Sequence, residues 1–153
     1  RNLISSIYLD HEELEAHILK LEQKYREAEQ RECMWQESSC EDADILLVGY
    51  GIMSRVARSA VEMARGQGIH AGLLRPITLY PFPSKRLHQL AGKAYTVIVV
   101  ELSNGQLLQD VRLAVNGVTP VQLLNRTGGM IPTAEDILAV IKKTERECVG
   151  NYA

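Results

Sequence analysis

The stretch Ile45–Arg65, ILLVGYGIMSRVARSAVEMAR, decides how this chain folds. Four aliphatic residues run into Gly49-Tyr50-Gly51. Immediately afterwards Val56, Ala57, Ala60, Val61 and Ala64 recur at helical spacing. A short apolar run, a glycine turn and an amphipathic helix make a buried strand that feeds a helix packed back on it. Ser54 stands where an N-cap is expected, which predicts a helix over roughly Ser54 to Arg65. Gly66 and Gly68 stand where a helix stops.

The same stretch raises the question of a dinucleotide. The fingerprint requires G-x-G-x-x-G and, about twenty residues on, an acid for the ribose hydroxyls. Here the third glycine is Ser54, and the next strand ends in Gly72-Leu73-Leu74-Arg75 with no acid. The glycines are explained by a tight strand-to-helix turn. A free-standing nucleotide- or anion-binding regulatory module remains the alternative reading, because a helix N-terminus attracts anions.

Downstream the strand–helix alternation continues. Ile69–Leu74 reads as a second strand, and Pro76, Pro81 and Pro83 then break regular structure before Ser84 caps a short helix to about Ala91. Tyr95–Glu101 is the most continuous β run and should be central and buried on both faces. A helix over Gln106–Val115, a strand over Val121–Leu124 and a last helix opened by Thr133-x-x-Asp136 complete the pattern. The prediction is an α/β three-layer sandwich with a largely parallel sheet over residues 43–153.

Upstream, Asp10 and Glu13 form a capping-box-like start for a helix to about Arg31. Leu14, Ile18, Leu21, Tyr25 and Ala28 make one narrow apolar stripe on it. That stripe packs either on a partner or back on its own domain. Glu32 to Asp44 reads as a polar, irregular linker, so that residues 1–42 form a helical lead-in.

In parallel sheets function collects beyond the strand carboxyl ends. Those ends carry Tyr50 and Ser54, Arg75, Glu101 and Asn104, and Arg126 before Thr127-Gly128-Gly129. These six residues are the candidate rim for an interface or an anion. Glu101 could serve as a general base, against the plainer alternative of a carboxylate paired with Arg75 or Arg126 or bonded to backbone amides. Arg126 to Gly129 reads as a turn or an anion nest. No G-x-S-x-G, Walker or H-E-x-x-H motif occurs, and catalytic, cofactor-binding and metal residues are expected to be none. The four histidines are scattered, and Cys33, Cys40 and Cys148 match no metal spacing, so they are expected to be reduced thiols.

With 153 residues, a net charge of −2 and no long apolar run, the chain fits a cytoplasmic protein with neither nucleic acid nor membrane as partner. It opens on Arg1 rather than Met, which reads as a fragment or a processed form.

The residues also carry a resemblance. SSIYLDHEELEAHILKLEQKYREAE (5–29), EDADILLVGYG (41–51) and GLLRPITLYPFP (72–83) resemble the C-terminal part of the alpha subunit of 2-oxoacid:ferredoxin oxidoreductases. VIVVELSNGQLLQDVRLAVNG (97–117) and NRTGGMIPTAEDIL (125–138) continue that similarity in order. The lead-in is most similar to the 2-oxoisovalerate (branched-chain) type, then to the 2-oxoglutarate type. The resemblance implies a domain like the transketolase C-terminal domain. Such enzymes decarboxylate a 2-oxo acid oxidatively with thiamine diphosphate, Mg, iron–sulfur clusters and coenzyme A, passing electrons to ferredoxin. The resemblance places those cofactors on other domains and subunits, so this chain is expected to be a non-catalytic assembly domain, inactive alone. Its expected partners are the rest of the complex and a possible second copy.

Overall fold

A computed structural model describes residues 7–150, with side chains through Glu147. The thiol of Cys148 therefore lies outside the described residues. The order is α1 (His11–Arg31), β1 (Trp35–Ser38), β2 (Ile45–Val48), α2 (Gly51–Arg65), β3 (Ala71–Pro76), α3 (Ser84–Ala91), β4 (Thr96–Glu101), α4 (Gln106–Val115), β5 (Val121–Asn125) and α5 (Ala134–Gly150).

The sheet runs β1-β3-β2-β4-β5, with β1 antiparallel to β3 and every other pair parallel. Successive side chains of a strand point to opposite faces. Ile45 and Leu47 thus join Met53, Ala57 and Ile137 of α2 and α5 on one face. Leu46 and Val48 join Leu87, Leu107 and Val111 of α3 and α4 on the other. The result is the expected α/β three-layer sandwich, with both faces of β2 and β4 buried.

The Glu32–Asp44 linker reading is corrected. Residues 35–38 form β1, in register with β3 from Trp35 opposite Pro76 to Ser38 opposite Leu73. The sheet thus draws on both sides of residue 43. Two arginines hold this connection, one from each layer of helices. Arg86 of α3 binds Glu37 through two 2.7 Å bonds and Glu41 at 3.2 Å. Arg65 of α2 binds Asp42 at 2.8 and 3.0 Å and also donates to the carbonyls of Ser39 and Ala71. Beneath the connection Gly72 is required, because a Cβ there would meet the Ser39 carbonyl oxygen at 2.6 Å.

Two cap expectations are also corrected. α2 starts at Gly51, not Ser54. Gly51 takes φ +57°, which lets the chain enter the helix three residues sooner. The Ser54 hydroxyl then has no free amide to accept from and donates to the Gly51 carbonyl at 2.8 Å. In α3, Pro83 occupies the cap position and Ser84 is already helical. Elsewhere the caps are as expected. Asp10 accepts from the Glu13 amide at 3.0 Å, and Thr133 and Asp136 bond each other's amides reciprocally at 3.2 and 3.0 Å.

No residue of α1 is buried, although Leu21 and Ala28 of its stripe are half-buried. Its contact with the body includes Tyr25, edge-on to Tyr80 with ring centroids 6.2 Å apart.

Candidate functional site

β2 leads through α2 to β3 on one side, and β4 leads through α4 to β5 on the other. The connections diverge between β2 and β4, and a crevice at the carboxyl ends of such strands is where open α/β sheets bind ligands. Gly49 and the loop 102–105 form that crevice. It is tight: a Cβ on Gly49 would stand 3.0 Å from the Val100 carbonyl oxygen.

Glu101 belongs to the floor and not to the rim. It is 2% exposed. Its carboxylate accepts the Leu107 amide at 2.9 Å, the Leu108 amide at 3.4 Å and the Ser103 hydroxyl at 2.6 Å. These amides open α4, so the buried charge caps the helix and opposes its dipole. At that burial the carboxylate is turned away from solvent, and neither Arg75 nor Arg126 is its side-chain partner. The backbone-bonded alternative is the correct one. Asn125 donates to the Ser103 carbonyl at 2.7 Å and secures the same loop.

The six candidate residues divide accordingly. Tyr50, Asn104 and Arg126 are exposed at the rim. Ser54 is 2% exposed and, like Glu101, cannot touch a partner. Arg75 is half-buried: it donates to Gln36 at 3.1 Å, while its Nε is buried without a bond. At Thr127–Met130, Gly128 and Gly129 both have positive φ and Met130 N–H bonds the Thr127 carbonyl at 3.2 Å. That is a tight turn and not a nest.

What the sequence reading missed is the apolar part of the rim. Ile52, Leu102, Met130 and Ile131, in the segments that follow β2, β4 and β5, are exposed as Tyr50 is. Ile77, Leu79 and Tyr80 are exposed in the proline loop. That loop is anchored by Thr78, which donates to the Pro81 carbonyl at 2.8 Å and accepts the Met34 amide at 2.9 Å. Apolar residues among turn formers, as in LYPFP and GMIP, were the available signal.

The other hollows lie elsewhere. One of about 130 Å³, lined by Asp44, Gly68, His70 and Glu145, opens at the amino ends of the strands. A wide groove of about 680 Å³ runs outside α3 and α4 past His88 and Leu113. Among the described residues no three His, Cys, Asp or Glu side chains gather as metal ligands, and no helix is long and apolar enough to cross a membrane. Cys40 is buried against the Leu73 carbonyl, and burial pushes its thiol pKa up.

The fold defines a class: α/β sandwiches with a mostly parallel sheet, a fold shared by two solved structures. A split-gene transketolase in an inactive β4 tetramer superposes with a TM-score of 0.59 at 24% identity, over 67% of this chain and 38% of that one. The 2-oxoglutarate:ferredoxin oxidoreductase from Magnetococcus marinus superposes with a TM-score of 0.78 at 20% identity, over 89% of this chain and 24% of that one. Residues 43–137 match pyruvate:ferredoxin oxidoreductase core domain II, and the chain belongs to that family. The ketoisovalerate oxidoreductase subunit VorB of Methanothermobacter marburgensis is 48% identical over 147 residues, which is 96% of this chain. The chain spans 42% of the length of that relative.

Proposed function

We propose that this chain is the assembly domain of a thiamine-diphosphate-dependent 2-oxoacid:ferredoxin oxidoreductase, with a branched-chain 2-oxo acid such as 2-oxoisovalerate as substrate. The whole enzyme would convert the 2-oxo acid to an acyl-CoA and pass electrons to ferredoxin, in the cytoplasm. This domain contributes a rigid surface to that reaction and no chemical step. The observation that carries the reading is the rim: Tyr50, Ile52, Leu102, Met130 and Ile131 are each exposed in the segments that follow the carboxyl ends of β2, β4 and β5. Exposed apolar surface gathered at one place marks an interaction site.

The residues here do not fit the family's cofactors. A diphosphate–Mg site needs free carboxylates, and the carboxylate at the crevice, Glu101, is buried and already bonded to two α4 amides and the Ser103 hydroxyl. An iron–sulfur cluster needs grouped thiolates, and Cys40 is buried as a thiol donating to a carbonyl. We place thiamine diphosphate, Mg, the clusters and coenzyme A on the enzyme's other domains and subunits, as the resemblance implies.

The test replaces Ile52 and Met130 together by Ser in the protein that carries this domain. Weakened association with the remaining subunits and lost ferredoxin reduction, at unchanged thermal stability of the domain, are expected. Full assembly and activity would end the proposal.

A further inference from the structure

No residue from Ile7 to Ser39 is buried, whereas every residue of β2 and β4 is. A segment that little apolar surface holds in place opens locally at a lower cost than the domain unfolds. The contrast divides the molecule into an apolar body and an arm, α1 with β1, that lies outside it.

What ties the arm to the body is largely polar. β1 adds a four-residue ladder to β3, and the Met34 carbonyl accepts the Ile77 and Thr78 amides at 3.0 and 3.2 Å. Beyond that ladder, arginines reach across from three elements of the body. Arg75 of β3 donates to Gln36 at 3.1 Å, and Arg86 of α3 donates twice to Glu37 at 2.7 Å. Arg65 of α2 donates to the Ser39 carbonyl at 2.8 Å. Tyr25 against Tyr80, with Leu21 and Ala28 half-buried, supplies an apolar share.

The junction between arm and body is a place to turn. Ser39 takes φ +54°, in the left-handed region that residues with a Cβ rarely adopt. Its carbonyl is the one that Arg65 holds, so that guanidinium keeps a strained residue in place. The next residue, Cys40, is buried and its thiol donates to the Leu73 carbonyl at 3.2 Å, which fixes the body's side of the junction.

We propose that residues 11–39 form an ion-held latch. Closed, it covers the edge of β3. Open, it swings about Ser39 as one unit and bares that edge while the body stays folded. Ionic strength sets the balance, because the pairs of Arg86 with Glu37 and Glu41 and of Arg65 with Asp42 are partly exposed and therefore screened by salt. The rim at the other strand ends takes no part, so the latch and the assembly reading can be tested separately.

The experiment is hydrogen–deuterium exchange read by mass spectrometry on the protein that carries this domain, for wild type and for Arg65→Met with Arg86→Met. The amides that join β1 to β3 and those of Ile77 and Thr78 should exchange as one group, about a hundredfold faster than those of β4. Raising potassium chloride from about 0.05 M to about 0.5 M should quicken the group several-fold. The double variant should quicken it about tenfold in low salt and remove the salt response. β4 should keep its rate throughout, which reports that the body stays folded. Exchange of the group in step with β4 overturns the inference, since the arm then opens only when the domain unfolds. So does a group whose members separate, a β4 that accelerates with it, or a rate that neither salt nor the double variant changes.

Discussion

Replacing Glu101 by Gln keeps shape and volume and removes only the charge. The native carboxylate accepts the Leu107 and Leu108 amides and the Ser103 hydroxyl from inside the core. An amide offers one acceptor oxygen, so its NH2 must face one of those donors. A hydrogen bond to a charged group is worth about 1.5–3 kcal/mol. A charge at a partly buried helix N-terminus adds up to about 2 kcal/mol. Removing a desolvated charge returns part of that sum. A net loss of about 2 kcal/mol is expected, or about 4–8 °C in Tm for a domain of this size. Urea unfolding followed by far-UV circular dichroism measures it. A companion Ser103→Ala should cost less, because two amide bonds survive. A Glu101→Gln midpoint within about 0.5 kcal/mol of wild type, the ordinary range for surface changes, would mean that the carboxylate does not hold α4.

Gly72→Ala should destabilise by about 1–3 kcal/mol, because the new methyl meets Ser39 and Ala43 at 2.6 and 2.8 Å; the urea midpoint reports it. The Arg86 guanidinium holds the Glu37 carboxyl below its ordinary pKa. A depressed folded pKa gives stability that is full above the unfolded value, about 4.3, and is lost as pH falls through the folded one. Wild type should therefore lose more stability than Arg86→Met between about pH 5 and pH 3, a window set by the Glu37 carboxyl; parallel curves would contradict the clamp. Cys40, buried and with its pKa raised by desolvation, should resist iodoacetamide at neutral pH until denaturant opens the sheet, as peptide mass mapping would record.

The sequence was most legible where a period was long and both ends were marked. α1 and α4 agree with their sequence boundaries, because each has a clean stripe and a cap or glycine at its ends. β1 was illegible for a physical reason. Trp35–Ser38 lies at the sheet edge with three of its four residues exposed, so it carries no apolar signal. β3 starts and ends two residues later than Ile69–Leu74, since Arg75 and Pro76 pair only with that unseen edge strand. Ser54 misled because a cap residue after a glycine turn is ambiguous until the φ of Gly51 is known. At the candidate site, strand ends drew attention to Tyr50, Asn104 and Arg126, which are exposed. They could not reveal that Glu101 turns inward, which depends on where α4 begins relative to β4. Nor could periodicity find Ile52 or Met130, whose exposure depends on how the turns lie over the strand ends.

The two arginine clamps separate the segment that defines the family from the segment that closes the sheet. The matched segment begins at residue 43 and stops at 137. A piece cut to those limits would lose β1 and leave the backbone donors and acceptors of β3 open along a flat edge. It would strip Arg65 and Arg86 of Asp42 and Glu37, and remove Ile141 and Thr144 from beneath α2 and β5. Such an edge recruits other strands, so the excised segment should precipitate or form mixed sheets where the longer chain stays dispersed. For this domain the family-defining segment and the segment with a fully paired β3 are different lengths of polypeptide.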